Sequence, residues 1–466
     1  MGCSARRLGP LIVAATLAVG CTSSHGSGGS DNGSGQPQPH TVLAGAGVDP
    51  GFVHDTDGSS GDRLAATVVT DAQDFWRSTF PSAFGKEWND VRGFYSVDSS
   101  TKSLPEKNSP CIESPADIEG NSFYCQDTDT ISWDRAALIP VLRDKFGDAS
   151  VLLVLAHEFG HAVQHRTGLT DIDVAQQPRK YPTIAVETMA DCYAGAFGRW
   201  VVDGHAPDLK LAKGDLDTAL TALVQFRDPT GTSSNDATAH GDAFDRVAAF
   251  SDGYSDGARF CAKITAQNRS FTAPSDNAEP SRANLDVGAV VTQFTPSMNE
   301  YFRGLLQRIS QTGKTWRQPS IKTAKAPDNC RSNDTEPMRY CPTDNTIYLT
   351  DDHALNSLDT DIGDFAVATM LASRYALAAG TQLDGTPSSQ APSNQAPSNT
   401  SPAKTALCRT GGYVAALSHG RLASGDLDEA VGLLLDDRLE AADTGLDRFA
   451  AFRAGFDNPS GGANPC

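Results

Sequence analysis

The feature that most constrains this chain is that it repeats itself. Cys125-Gln-Asp-Thr-Asp-Thr-Ile-Ser-Trp133 matches Cys341-Pro-Thr-Asp-Asn-Thr-Ile-Tyr-Leu349. Gly147-Asp148 matches Gly363-Asp364, and Gly214-Asp-Leu-Asp217 matches Gly425-Asp-Leu-Asp428. Asp245-Arg-Val-Ala-Ala-Phe250 matches Asp447-Arg-Phe-Ala-Ala-Phe452. Each half also holds four cysteines in the same order: Cys111, Cys125, Cys192 and Cys261, then Cys330, Cys341, Cys408 and Cys466. Order and offset persist throughout, as in a duplicated module. The expected division is residues 63–271 for the first module and 285–466 for the second. A polar linker at 272–284, with Pro274 and Pro280, separates them. Short alternating runs beside long apolar helical stretches predict an α+β fold, with a small sheet and several helices in each module.

The first module contains Val151-Leu-Leu-Val-Leu-Ala-His157-Glu158-Phe-Gly-His161-Ala-Val-Gln-His165. This is the H-E-x-x-H pattern on a buried helix. Residues four apart share a face, so His157 and His161 can aim their imidazoles at one cation. Glu158 leaves the axis about 100° from His157, close enough to hold a water on that cation without ligating it. A catalytic zinc takes three protein ligands and keeps one open position. The third candidate is Glu187, in Glu187-Thr-Met-Ala-Asp191 on a second apolar helix. Asp191, four residues on, can accept the free N–H of a ligand histidine. The second module lacks this chemistry. In register, Ser373 replaces His157, Arg374 replaces Glu158 and Leu377 replaces His161. Ala403, Leu407 and Ala442 stand where the first module has Glu187, Asp191 and His240. That module is expected to bind no zinc.

The N-terminus reads as an export signal. Arg6 and Arg7 precede an apolar stretch, Leu8 to Val19, too short to span a bilayer comfortably. Leu17-Ala-Val-Gly-Cys21 resembles a lipobox, so residues 1–20 are expected to be removed and Cys21 acylated. An ordinary secretory signal is the alternative. Residues 21–62, Gly- and Ser-rich at first, are expected to form a flexible tether. Thr386 to Lys404, with Gln-Ala-Pro-Ser-Asn repeated, is expected to be a surface loop. The chain has 38 Lys and Arg against 57 Asp and Glu, a formal charge of −19, which argues against a nucleic-acid partner. Apart from Cys3 and Cys21 the cysteines are even in number and form no C-x-x-C pair, which predicts disulfides in an oxidising compartment. Equivalent positions suggest equivalent bridges: Cys111–Cys125, Cys192–Cys261, Cys330–Cys341 and Cys408–Cys466.

Phe123 to Ile131, Leu155 to Gln164, Glu187 to Gly195 and His240-Gly241, followed by Arg246, Phe250, Gly253-Tyr254, Gly257 and Cys261, resemble the putative neutral zinc metallopeptidases, a gluzincin-like family. With the lipobox and the second copy, the whole is similar to the LpqM-like branch of bacterial lipoprotein peptidases. The resemblance implies a zincin-like fold, one zinc per chain on His157, His161 and Glu187, and Glu158 as catalytic acid/base. Zinc lowers the pKa of its water toward about 7, and Glu158 takes the proton as that water attacks a peptide carbonyl. The developing oxyanion needs a further stabiliser; His240 is the candidate, with Tyr181 and Tyr193 behind it. Asp129 to Trp133 alternates like a strand and is a candidate sheet edge for an extended substrate, or else an interior strand. His165 lies one turn past the motif and reads as a rim or core residue; His205 and His353 read as exposed. The expectation is an exported zinc metallopeptidase acting on peptides or proteins. It sits outside the cytoplasm, anchored to the cell membrane by lipid, or is secreted. The rivals are a binding or assembly lipoprotein with a vestigial zinc site and an amidase acting on cell-wall peptides. Oligomeric state is not legible.

Overall fold

The computed structural model describes residues 42–102, 109–234, 236, 239–272, 284–309, 314–328, 330, 337–384, 401–417, 421–439, 443–458 and 466. The chain is mixed α+β with small sheets, and it divides into two compact units. One holds residues 42–222 and 252–270, the other 223–251 and 271–466. The signal segment, Cys21 and most of the linker and of the Thr386–Lys404 stretch lie outside the described residues, as does Ala442.

The first unit is built from α1 (Ser60–Phe84), β1 (Gly93–Val97), β2 (Ser122–Cys125), β3 (Thr130–Asp134), α2 (Leu138–Phe146), α3 (Asp148–Thr167), α4 (Asp171–Gln176) and α5 (Thr183–Val202). The chain passes between units within α6 (Asp215–Gln225) and α7 (Ala243–Asp256), and α8 (Ala258–Cys261) closes the first. The strand order is β1-β3-β2, with β1 parallel and β2 antiparallel to β3. Asp129–Trp133 therefore supplies the central strand and not the edge available to a substrate. Every residue of β3 is buried, so both its faces and both its ladders are already used. Buried Asp62 ties α1 to this sheet, accepting from Ser96 Oγ at 2.6 Å and Trp133 Nε1 at 3.4 Å.

Helix α3 starts after Gly147 and stops at Gly168, whose φ of 100° is the left-handed cap that glycine adopts without strain. Val151, Leu152, Leu155, Phe159 and Val163 are each essentially inaccessible, each contributing about 1.5–3 kcal/mol of burial. A helix buried on nearly all sides can carry polar groups only where other elements meet them. Helix α5 packs on it so closely that a Cβ at Gly160 would stand 2.7 Å from Ala190 Cα. The tether is shorter than the sequence suggested. Val42 is already buried, Leu43 pairs with Leu209, and His54 pairs with Tyr95 on β1, because these residues have apolar surface and backbone ladders to satisfy.

The second unit comprises α9 (Val287–Ile309), β4 (Ser320–Thr323), β5 (Met338–Cys341), β6 (Thr346–Leu349), α10 (Asp352–Asp361), α11 (Asp364–Asp384), α12 (Pro402–Leu417), α13 (Asp426–Leu435) and α14 (Gly445–Phe456). Its sheet order is β4-β6-β5, with β4 parallel and β5 antiparallel to β6. Residues 223–251 belong to this unit, so the fold does not divide only at 272–284. The Phe244 ring lies 5.4 Å from Phe449 and 4.7 Å from Phe456. Ala243 N–H donates to Asp428 at 2.9 Å. The four cysteine pairs anticipated above are at disulfide distance, with Cα separations of 6.0, 5.5, 5.3 and 5.6 Å in chain order. No described helix is long and apolar enough to cross a membrane.

Candidate metal centre

Three donors converge where α3 meets α5. His157 Nε2 and His161 Nε2 are 3.1 Å apart, and Glu187 Oε2 lies 3.2 Å from the first and 3.6 Å from the second. Two ligands at about 2.0–2.1 Å from a tetrahedral zinc stand about 3.3 Å apart, so the triangle fits that ion without rearrangement. His157 is 4 % exposed and Glu187 5 %. Burial opposes charge on His157, but Asp191 and then Glu187 outweigh it and hold the ring's pKa at about 10. For His161, burial likewise opposes and Glu187 raises. The carboxylates that favour a proton here favour a metal cation in its place.

The remaining ring atoms are engaged. His157 Nδ1 lies 2.7 Å from Asp191 Oδ1, in the role expected of Asp191. His161 Nδ1 lies 3.0 Å from Gln164 Oε1, a contact that the motif did not reveal. Glu158 is 3 % exposed and accepts a hydrogen bond from Ser122 Oγ at 2.8 Å. Ser122 sits on β2, thirty-odd residues upstream, so only the tertiary fold brings it to the motif.

Other candidates fall elsewhere. Tyr193 is not an oxyanion partner: its ring is buried 5.6 Å from Trp76 and 6.4 Å from Phe84, on the aromatic side of α5. Tyr181 precedes α5, with Lys180 Nζ 4.7 Å over its ring. His240 belongs to the second unit, with its backbone N–H on Asp228 at 2.8 Å and Nδ1 3.6 Å from the same carboxylate. His165 is a half-buried rim residue whose Nδ1 is 2.9 Å from Tyr124 Oη. That hydroxyl donates to Asp129 at 2.8 Å, and Arg166 grips Asp129 with two bonds of 2.9 and 3.0 Å. His205 and His353 are exposed, as expected. A second group of acids, Asp364, Asp426 and Glu429, gathers in the other unit. It offers oxygen donors alone, with no histidine, and burial pushes Glu429 up to about 8.

No curated protein and no solved structure matches the chain. The family model described as putative neutral zinc metallopeptidase matches residues 53–264, the stretch that holds all three donors, Glu158 and Asp191. Over residues 53–264 the chain is similar to that family.

Proposed function

We propose that this chain is a zinc-dependent peptidase exported from the cytoplasm and held at the membrane by a lipid on Cys21. The observation that carries the reading is the convergence of His157, His161 and Glu187 at zinc-ligand spacing, with Glu158 on the next residue. When bound, zinc supplies a Lewis acid that polarises a peptide carbonyl and acidifies water. Glu158 then removes a proton from the attacking water as its oxygen bonds to the carbonyl carbon. The same carboxyl delivers that proton to the amine nitrogen as the C–N bond breaks. Ser122, bonded to Oε1, fixes which way the carboxylate turns and leaves Oε2 for the proton. Among the described residues, the outer edge of β2 pairs with no strand, so an extended substrate is proposed to add there, next to Ser122.

We also infer that the two units descend from one zincin-like module. The equal strand orders support this, and so does a shared network. Tyr124, Asp129 and Arg166 have as counterparts Tyr340, Asn345 and Gln382: Tyr340 donates to Asn345 at 3.0 Å and Gln382 approaches it at 3.5 Å. The second copy is read as a partner without zinc chemistry. A binding lipoprotein with a decayed centre is disfavoured, because decay should resemble Ser373, Arg374 and Leu377.

Metal content by mass spectrometry, with hydrolysis of an unstructured peptide, tests the reading. Wild type should carry one zinc per chain, and Glu158→Gln should keep the zinc while losing about 10²- to 10⁴-fold in kcat. A zinc-free wild type, or a fully active Glu158→Gln, sinks it. Release of amino groups from purified cell wall with no peptide cleaved points instead to the amidase.

A further inference from the structure

We propose that Gln164 is a positioning residue that fixes the His161 ring, so that its Nε2 lone pair faces the cation. This rests on the zinc reading above. Gln164 is 3 % exposed, and its Nε2 lies 2.6 Å from Val186 O. A backbone carbonyl can only accept, so that end of the side chain is the NH₂ and the other end is the carbonyl oxygen. This oxygen is 3.0 Å from His161 Nδ1 and also only accepts. Nδ1 therefore carries the ring proton, and Nε2 is left with its lone pair. Nε2 is the atom that stands 3.1 Å from His157 Nε2 and 3.6 Å from Glu187 Oε2.

A neutral amide thus does for His161 what a carboxylate, Asp191, does for His157. Neutrality has a physical reason. Glu158, Glu187 and Asp191 already place three buried acids around two rings, and a fourth would add repulsion that a single divalent cation does not offset. The amide also bonds to the residue preceding Glu187, so one side chain ties the second ligand to the turn carrying the third.

The second unit supplies independent support. Gly380 stands in register with Gln164, so the second unit lacks the glutamine as well as the counterparts of His157, His161 and Glu187. The Tyr–Asp–Arg network one turn away is kept there in neutral form. Gln164 follows the metal centre and not the scaffold.

The test is zinc affinity by chelator competition, with the visible spectrum of the cobalt-loaded protein. Gln164→Leu should weaken zinc about 10- to 100-fold and alter the cobalt bands. Gln164→Glu, which still accepts from Nδ1 but adds the fourth buried acid and no longer donates to Val186, should keep the cobalt bands of the wild type and lose clearly less affinity than Gln164→Leu. Equal losses in both variants overturn the proposal, because both lack the Val186 bond and a merely structural role depends on it. Unchanged affinity and spectrum in Gln164→Leu overturn it too, while leaving the peptidase reading intact. Should Gln164→Leu not fold, nitrogen NMR of the zinc-loaded wild type decides: a proton on His161 Nδ1 supports the proposal and coordination through Nδ1 refutes it. A wild type that takes up no zinc is instead a failure of the peptidase reading.

Discussion

Helices α3 and α11 are of similar length, and each packs on the antiparallel edge strand of its own sheet. What they present to that strand differs completely. In the first unit Glu158 accepts a proton-bearing hydroxyl, Ser122 Oγ, and keeps a carboxylate oxygen for chemistry. In the second, Arg374 occupies the same register and donates to Met338 O at 2.8 Å, so a long cation closes the space. Ser373, in place of His157, turns back to its own helix and donates to Met370 O at 2.6 Å. The comparison teaches that the strand order, the cysteine pairs and the apolar helix faces do not require the metal centre. In the first unit these side chains meet groups on neighbouring elements, and in the second they meet backbone carbonyls.

The largest expected effect is on metal content. His157→Ala should drop bound zinc from about one per chain to near none, since two ligands cannot hold a structural or catalytic site. Ser373→Ala, its counterpart, should leave zinc unchanged; a parallel fall in both variants breaks the contrast. Next comes the helix contact. Gly160→Ala should cost about 1–3 kcal/mol and weaken zinc, because the added methyl meets backbone at 2.7 Å. Ala376→Gly, in register with it, should cost about 1 kcal/mol from helix propensity alone and not touch the metal. Denaturant unfolding with zinc titration checks both. The smallest effect concerns the shared network. Asp129→Asn alone should cost about 1–3 kcal/mol by taking the charge from the partner of the Arg166 guanidinium, which is 9 % exposed and keeps its bonds to Asn89 O and Ala162 O. Adding Arg166→Gln, which recreates the pattern of the second unit, should recover part of that loss. Recovery stays partial because the guanidinium also lies 4.2 Å over the Trp88 ring. Strict additivity in this double-mutant cycle refutes the idea that the two networks are equivalent.

The candidate centre was legible because its residues obey helical spacing: His157 and His161 on one turn of α3, Glu187 and its neighbour Asp191 on one turn of α5. The cysteine pairs followed from the matching cysteine order of the two halves. Ser122 and Gln164 were not legible as partners, since a serine on a strand and a glutamine on a helix carry no spacing rule; only the packing of α3 against β2 and α5 reveals them. For Asp129–Trp133 the choice between sheet edge and interior strand stayed open for a related reason, and the structure takes the interior strand. Alternation marks a strand but does not say how many neighbours it has, and here both sides are taken. Tyr193 failed because a helix has two faces: Glu187 and Asp191 look at α3, while Tyr193 looks at Trp76. The early start of the fold at Val42 escaped notice because loop-like composition gave no hint of the pairing between His54 and Tyr95.

Gly160 lets the backbones of α3 and α5 touch, which fixes the spacing of the two helices that carry the donors. Chelation should therefore extinguish the protein without unravelling it, and readdition of the ion should restore it with no refolding delay, unlike small zinc modules whose folding is the binding event.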